Sequence, residues 1–110
     1  MENVTDVRSV LVPFLSGSAY SDKVRGVALF GSVARGTATA KSDVDLIIDY
    51  DASNYDIMHW CGLCEQIENL FRSEYGKNVN LVSAEILQYP GEELFRENVE
   101  RDMVWVYGGQ

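Results

Sequence analysis

The sequence predicts an α/β or α+β fold, in which helices and short apolar strands are arranged around one sheet. Segments with helical periodicity alternate with short apolar runs, which is the pattern of such folds. The chain has 110 residues, of which 46% are hydrophobic; both values are ordinary for one globular domain. A chain of this length buries enough surface to fold without disulfides or a structural metal. We therefore expect residues 1–110 to form a single domain.

The first three elements are a helix and two strands. The helix is predicted at residues 4–16, where apolar residues recur on one side at helical spacing. These residues are Val7, Val10, Leu11 and Phe14. The strands are predicted at 26–30 and 44–50, where the runs GVALF and VDLIIDY read as buried strands.

A long helix is predicted at residues 54–75, with Gly76 in the position that commonly ends a helix. Its apolar stripe is formed by Ile57, Cys61, Cys64, Ile67 and Phe71. Because both cysteines share this stripe and lie in the middle of a helix, we expect them to pack in the core. A redox or metal-binding C-x-x-C is the alternative.

The chain closes with two further strands and one helix between them. The run NVNLV predicts a strand at 78–82, and a helix is predicted at 92–101 after the Pro90-Gly91 breaker. The run MVWVY predicts a terminal strand at 103–107.

Charge and hydropathy exclude several classes of protein. The net charge is -8, with 17 acidic and 9 basic residues, and such a surface repels phosphate backbones, so we expect no direct nucleic-acid binding. No apolar run approaches the ~20 residues needed to span a bilayer, and the N-terminus has no signal-peptide pattern. We therefore expect a cytoplasmic protein without membrane contact.

The turn that follows the strand predicted at 26–30 can bind phosphate. Gly31 lets a ligand approach the backbone closely, and Ser32 is a good N-cap residue. Gly36 is the residue that would end this turn, so the segment between Ser32 and Gly36 is predicted to form a single helical turn. Its unpaired N–H groups would fit phosphate oxygens. An ordinary strand-to-helix turn explains the same residues.

The pair Asp43 and Asp45 lies at the next predicted strand. Residues i and i+2 share a face of a strand, so both carboxylates point the same way, while Val44, Leu46 and Ile48 point into the core. Two adjacent carboxylates repel each other, and a bound Mg²⁺ would relieve that repulsion while taking its other ligands from water and phosphate. A solvated strand edge is the alternative.

Taken together, these residues resemble the minimal nucleotidyltransferases (MNT) of the DNA polymerase β-like superfamily. The signature of that family is Gly-Ser, ten residues, then Asp-x-Asp, and here Gly31-Ser32 is followed after ten residues by Asp43-Val44-Asp45. The flanking segments "LFGS.ARG" and "SD.DL" also resemble the family.

The resemblance implies a nucleotidyltransferase palm, with a mixed β-sheet and helices packed on one side. It implies that Gly31 and Ser32 hold the triphosphate of ATP or another NTP, and that Asp43 and Asp45 hold one or two Mg²⁺ ions. Within the flanking segments, Arg35 and Ser42 are assigned to nucleotide binding. Arg35 is alternatively an ion-pair partner of a neighbouring acid. The implied reaction transfers a nucleoside monophosphate to an acceptor hydroxyl and releases pyrophosphate.

The third carboxylate of the family pattern is replaced by an amide. It belongs to a "V-D-L-V" segment on a later strand, which here reads VNLV and places Asn80 at that position. An amide offers an oxygen to a metal but no negative charge and no base. In a shifted register the residue would be Asn78, also an amide. Glu85 is a possible substitute, whereas Asp49 lies too far along its strand.

The resemblance also implies a protein partner. Small members of the family are commonly antitoxins paired with a helical HEPN-type protein, which some of them adenylylate. We expect transfer of AMP to such a partner. The alternative is a catalytically weakened or inactive subunit that binds nucleotide and neutralises its partner by complex formation. The same sequence is compatible with homo-oligomers. The residues Met103, Trp105 and Tyr107 are a candidate face on which a partner docks, and the alternative is that they belong to the core.

Overall fold

The computed structural model describes residues 3–18, 22–51, 57–88 and 90–108. Its elements are α1 (Val4–Ser16), β1 (Val24–Phe30), α2 (Gly31–Arg35), β2 (Val44–Tyr50), α3 (Ile57–Tyr75), β3 (Val79–Ser83), a 3-10 helix (Ala84–Gln88), α4 (Glu93–Asp102) and β4 (Val104–Gly108). All elements predicted from the sequence are present, displaced by at most a few residues. The predicted start of the long helix at residue 54 lies outside the described residues.

The four strands form one mixed sheet in the order β3-β2-β1-β4. β1 is antiparallel to both β2 and β4, whereas β3 runs parallel to β2. This confirms the mixed sheet that the family resemblance implies. Because β2 and β3 are parallel and in register, the residues at their starting ends lie side by side at the same edge of the sheet.

The main core lies between one face of the sheet and the two long helices. Its buried side chains come from α1, α3 and all of the central strands, and Val44, Leu46 and Ile48 are fully buried as predicted from their alternation. The helical members with no exposure are Val7, Leu11, Leu15, Leu63, Ile67 and Phe71. No helix within the described ranges is long and apolar enough to cross a bilayer.

The opposite face of the sheet carries a smaller set of buried side chains. Ala28, Ile47 and Val99 are buried but lie outside the main cluster. The ring of Phe30 meets the ring of Phe95 on α4 edge-on, with their centroids 5.9 Å apart. Since side chains alternate along a strand, α4 therefore covers the face that also carries Asp45.

The prediction that both cysteines pack in the core is wrong for Cys61, which is exposed, while Cys64 is half-buried. The buried stripe of α3 is centred on Leu63, Ile67 and Phe71. At about 100° of rotation per residue, Cys61 lies on the other side of the helix from that stripe. Burial, followed by the neighbouring Glu68 and Cys61, raises the pKa of the Cys64 thiol to about 11. That thiol is therefore not activated for redox chemistry.

The last strand does not offer a single alternating face. A register shift lies between Val27 and Ala28, which pair with Tyr107 and Trp105 respectively. Tyr107 packs against the main cluster, and the residue pairing places Trp105 with Ala28 on the opposite face. The predicted docking face formed by Met103, Trp105 and Tyr107 is thus divided by an irregularity in the strand.

Candidate active site

Gly31 joins β1 to α2 and packs against the carboxylate of Asp45. Its backbone has a φ of +76°, and a Cβ atom at this position would collide with Oδ2 of Asp45. Glycine is therefore required both for the backbone conformation and for the close approach. α2 begins here, two residues earlier than predicted. Its cap residue is Phe30, with φ -137° and ψ -176°, so the prediction that Ser32 caps the helix is wrong.

α2 ends after little more than one turn. Gly36 adopts the left-handed conformation with a φ of +78°, as predicted for the residue that ends the segment. The N–H of Thr37 donates to the carbonyl oxygen of Ser32 at 2.9 Å, and the N–H of Gly36 donates to that of Val33 at 3.2 Å. These bonds fix the short helix that carries the Gly-Ser pair.

Asp45 lies between Gly31 and Asn80. It is paired with Phe30 on β1 and with Asn80 on β3. The Nδ2 amide of Asn80 donates a hydrogen bond of 2.8 Å to Oδ1 of Asp45. Asn80 is the residue that pairs with Asp45 in the parallel ladder, whereas the main-chain carbonyl of Asn78 accepts a hydrogen bond from the N–H of Val44 at 3.0 Å. The amide therefore neighbours the carboxylate as a hydrogen-bond donor.

Asp43 and Ser42 belong to the loop that leads into β2. Asp43 is exposed and lies just before the first paired residue of the strand. The Ser42 hydroxyl accepts a hydrogen bond from the N–H of Thr39 at 2.9 Å, and the Ser42 N–H donates to the carbonyl oxygen of Thr39 at 3.0 Å. The loop is thus closed on itself immediately before the acidic residue.

Lys77, which no motif in the sequence indicated, contacts the same loop. Its ammonium group donates to the carbonyl oxygens of Ala40 at 2.7 Å and Ser42 at 3.4 Å. The available signal was its position directly after Gly76, where the chain turns from α3 towards β3. The contact itself depends on how the loop before Asp43 is placed, which no sequence spacing specifies.

Arg35 is engaged by α4. Its guanidinium forms an ion pair with Asp102, with an N–O distance of 3.3 Å. This is the alternative to nucleotide binding that the sequence offered for Arg35. A hydrogen bond from Arg101 and then one from Arg35 hold the pKa of Asp102 below its usual value. The pair joins the end of α2 to the end of α4.

Two further acids weighed as substitutes for the third carboxylate lie elsewhere. Asp49 is four residues along β2 from Asp45, roughly 13 Å at the rise of a strand, and it pairs with Arg25 at 3.0 Å. Glu85 lies in the 3-10 helix that follows the far end of β3. Neither carboxylate reaches Asp45.

The donor set around Asp45 fits a magnesium–nucleotide complex. Within the described part of the chain, no three His, Cys, Asp or Glu side chains converge as a metal site. Mg²⁺ commonly takes only one or two carboxylates and completes its shell with water and substrate phosphates. Asp43 and Asp45 could supply that number, and Asp45 lies directly against Gly31 at the start of α2.

A mixed sheet that brings a Gly-Ser turn against a strand carboxylate defines this protein as one with a nucleotidyltransferase fold. A sequence profile of the nucleotidyltransferase domain matches residues 17–106. The chain therefore belongs to the nucleotidyltransferase domain family, and it is classed with these enzymes.

Its curated relatives include proteins of Methanocaldococcus jannaschii that carry the name "putative protein adenylyltransferase". One is 27% identical over 107 residues, covering 96% of this chain and 100% of the relative. A second is 26% identical over 106 residues, with the same coverage of both chains. The similarity thus extends well beyond the Gly-Ser and Asp-x-Asp segment.

Solved structures show the same fold. A toxin-antitoxin with AMP-PNP has a TM-score of 0.55 at 23% identity, covering 80% of this chain and 64% of that chain. A mutant of the toxin-antitoxin MntA-HpeT, in which two aspartates are changed to glutamate, has a TM-score of 0.60 at 18% identity and covers 98% of this chain and 75% of that chain.

Proposed function

We propose that this chain transfers AMP from ATP to a hydroxyl group of a partner protein in a Mg²⁺-dependent reaction. The observation that carries the proposal is the packing of Gly31 directly against the Asp45 carboxylate, because a phosphate-binding turn and a metal ligand must adjoin for this chemistry. The names of the relatives, which match over their whole length, support the same substrate class. In this proposal residues 1–110 act as one domain.

The proposal assigns two roles to the site. Gly31 and Ser32 bind the triphosphate, with Arg35 and Ser42 at its margins, and Asp43 and Asp45 hold Mg²⁺. Bound Mg²⁺ would neutralise phosphate charge and polarise the phosphoryl group. In the reaction the acceptor oxygen bonds to the α-phosphorus, the bond to the bridging oxygen breaks, pyrophosphate leaves, and the hydroxyl proton passes to water.

Asn80 limits the rate of this reaction in the proposal. It stands where the family pattern has a carboxylate, and its amide cannot accept the proton of the attacking hydroxyl. General-base assistance typically contributes about 10²–10⁴-fold. We therefore expect slow transfer, with Asn80 holding Asp45 in place through their hydrogen bond.

The partner we propose is a helical HEPN-type protein encoded beside this chain, in a cytoplasmic toxin-antitoxin pair. Its support is that both structural neighbours described above are toxin-antitoxin assemblies. The surplus of 17 acidic over 9 basic residues favours a protein acceptor over a nucleic acid.

The test is an adenylylation assay with the product of the neighbouring gene. The purified protein is incubated with that product, Mg²⁺ and ATP labelled at the α-phosphate. We expect label on the partner, loss of at least about 100-fold in Asp45→Asn because a metal ligand is removed, and no label when the γ-phosphate carries the isotope. Asp49→Asn is the matched control, since that acid shares the strand face but pairs with Arg25. Equal labelling by both variants, or none by the wild type, would contradict the proposal.

A second function is favoured by the Asn80–Asp45 hydrogen bond. If the amide abolishes transfer, the chain is a nucleotide-binding subunit that neutralises its partner by complex formation. The activity of the wild type distinguishes the two functions, and Asn80→Asp tests the role of the amide in both. It should raise the rate of an active wild type by up to about 10²–10⁴-fold, or create activity in an inactive one.

The same substitution has a consequence for stability. A second carboxylate next to Asp45 replaces a hydrogen bond with repulsion, so Asn80→Asp should melt at a lower temperature without metal. Adding Mg²⁺ should raise its melting temperature more than that of the wild type. Thermal unfolding measures both effects, and an unchanged response to Mg²⁺ would show that position 80 does not neighbour a metal.

A further inference from the structure

Lys77 connects the end of α3 to the loop that carries Asp43. Its ammonium group is 2.7 Å from the carbonyl oxygen of Ala40 and 3.4 Å from that of Ser42, residues 37 and 35 positions earlier in the chain. The side chain is partly buried. A charged donor bound to main-chain carbonyls is a strong and directional contact, so the loop is held to the helix at this point.

The base of the Lys77 side chain is itself rigid. Gly76 adopts a φ of +64°, and the N–H of Lys77 donates to the carbonyl oxygen of Phe71 at 3.1 Å. The N–H of Gly76 donates to that of Arg72 at 3.0 Å. The bond from Gly76 is that of the αL motif that commonly ends a helix with glycine, and the bond from Lys77 fixes the next residue. Lys77 therefore begins from a fixed main chain rather than from a mobile turn.

Asp43 and Asp45 differ in what holds them. Asp45 lies within the strand ladder, bonded by Asn80 and packed on Gly31. Asp43 precedes the first residue of β2, so its position depends on the loop before it. That loop is held by hydrogen bonds among residues 39–42 and by the hydrogen bond from Lys77.

We propose that Lys77 is a positioning residue for the nucleotide site. By binding the carbonyl oxygens of Ala40 and Ser42, it fixes Asp43 relative to Asp45 so that both carboxylates can share one metal–nucleotide complex. This inference rests on the proposed function, because it concerns the same carboxylates. It assigns Lys77 no contact with the nucleotide.

The experiment compares Lys77→Met, Lys77→Arg and the control Lys23→Met, all in the full chain. Lys23 precedes β1 at the end of the strand opposite to Gly31. Calorimetry measures the affinity for AMP-PNP with Mn²⁺ and, separately, with EDTA. Hydrogen exchange of the ligand-free proteins reports on the amides of residues 39–44, with the amides of β1 as an internal reference for global stability.

We expect Lys77→Met to weaken binding of AMP-PNP with Mn²⁺ by about 10- to 100-fold, the range typical for residues that orient metal ligands. Its affinity in EDTA should be unchanged, and its amides at 39–44 should exchange faster while those of β1 do not. Lys77→Arg, which keeps the cation and the donors, should stay within about threefold of the wild type. Lys23→Met should match the wild type in both measurements.

Any of four outcomes would overturn the inference. Wild-type affinity of Lys77→Met with Mn²⁺ would show that the clamp does not position Asp43. Equal losses with Mn²⁺ and with EDTA would indicate a direct phosphate contact instead. Faster exchange throughout β1 in both Lys77 variants would indicate a purely structural role. If the wild type binds no AMP-PNP with Mn²⁺, both the inference and the proposed function fail. Faster exchange of residues 39–44 in Lys77→Met would then show only that Lys77 holds the loop in place.

Discussion

Gly31 illustrates how one residue can link the backbone to the chemistry of the site. Its φ of +76° is a conformation that side chains disfavour, and the space where a Cβ would lie is occupied by Oδ2 of Asp45. Gly36 has nearly the same φ, +78°, but nothing lies within 4 Å of its Cβ position. The two glycines therefore separate the cost of backbone strain from the cost of displacing a carboxylate.

Gly36→Ala should lower the free energy of unfolding by about 1–2 kcal/mol, the cost of a left-handed backbone with a side chain. Gly31→Ala should lower it further, because Asp45 must also move. Only Gly31→Ala should lose binding of ATP with Mg²⁺. Urea unfolding and calorimetry measure the two effects, and equal destabilisation with equal retention of binding would show that the Gly31–Asp45 contact is unimportant.

An ion pair between Arg35 and Asp102 joins α2 to α4. Asp102 accepts hydrogen bonds from Arg101 and Arg35, and both hold its pKa below the usual value. A carboxylate with a lowered pKa in the folded state stabilises the fold at pH values above its unfolded pKa of about 3.9. That contribution is lost as the pH falls towards the lowered value.

Asp102→Asn should therefore reduce the melting temperature at pH 6, and the difference from the wild type should shrink below about pH 4. Thermal unfolding between pH 6 and pH 2.5 follows this difference. Arg101→Gln removes the hydrogen bond that does most to lower the pKa of Asp102, so this variant should also melt at a lower temperature than the wild type at pH 6. A deficit in Asp102→Asn that stays constant over this range would contradict the assignment.

At the scale of the molecule, the described residues bury side chains on both faces of the sheet. The larger cluster includes Phe71, which is fully buried against the face covered by α1 and α3. The smaller set includes Val99 of α4 and Ile47 of β2, which are 2% and 1% exposed. Domains of this kind are stable by only about 5–15 kcal/mol, so burial on either face is a sizeable part of the free energy of unfolding. We expect the larger cluster to control global unfolding.

Phe71→Ala should lower the free energy of unfolding by about 3–5 kcal/mol, the usual cost of a large aromatic truncation in a core. Val99→Ala removes two methyl groups, worth about 2 kcal/mol, and should mainly speed hydrogen exchange within α4. Native-state hydrogen exchange distinguishes the two responses. Uniform acceleration across the chain by Val99→Ala would show that α4 unfolds only together with the main core.

Local patterns in the chain were sufficient to predict the main secondary-structure elements and to select the candidate site residues. Helical periodicity, apolar runs and glycine positions placed the four strands and the α-helices near their observed bounds, because each depends on neighbouring residues, whereas the 3-10 helix Ala84–Gln88 was not predicted. The spacing of Gly31-Ser32 and Asp43-Val44-Asp45 indicated the family, and the amide at Asn80 was visible without coordinates. These features are properties of residue type and separation alone.

Other features required the packed molecule, because they depend on strand register, helix rotation and loop placement. The register set Asn80 beside Asp45, and the rotation of α3 exposed Cys61. The fold brought Lys77 to carbonyl groups more than thirty residues away. A sequence fixes spacing along one dimension, whereas such contacts arise only when distant segments share the same space.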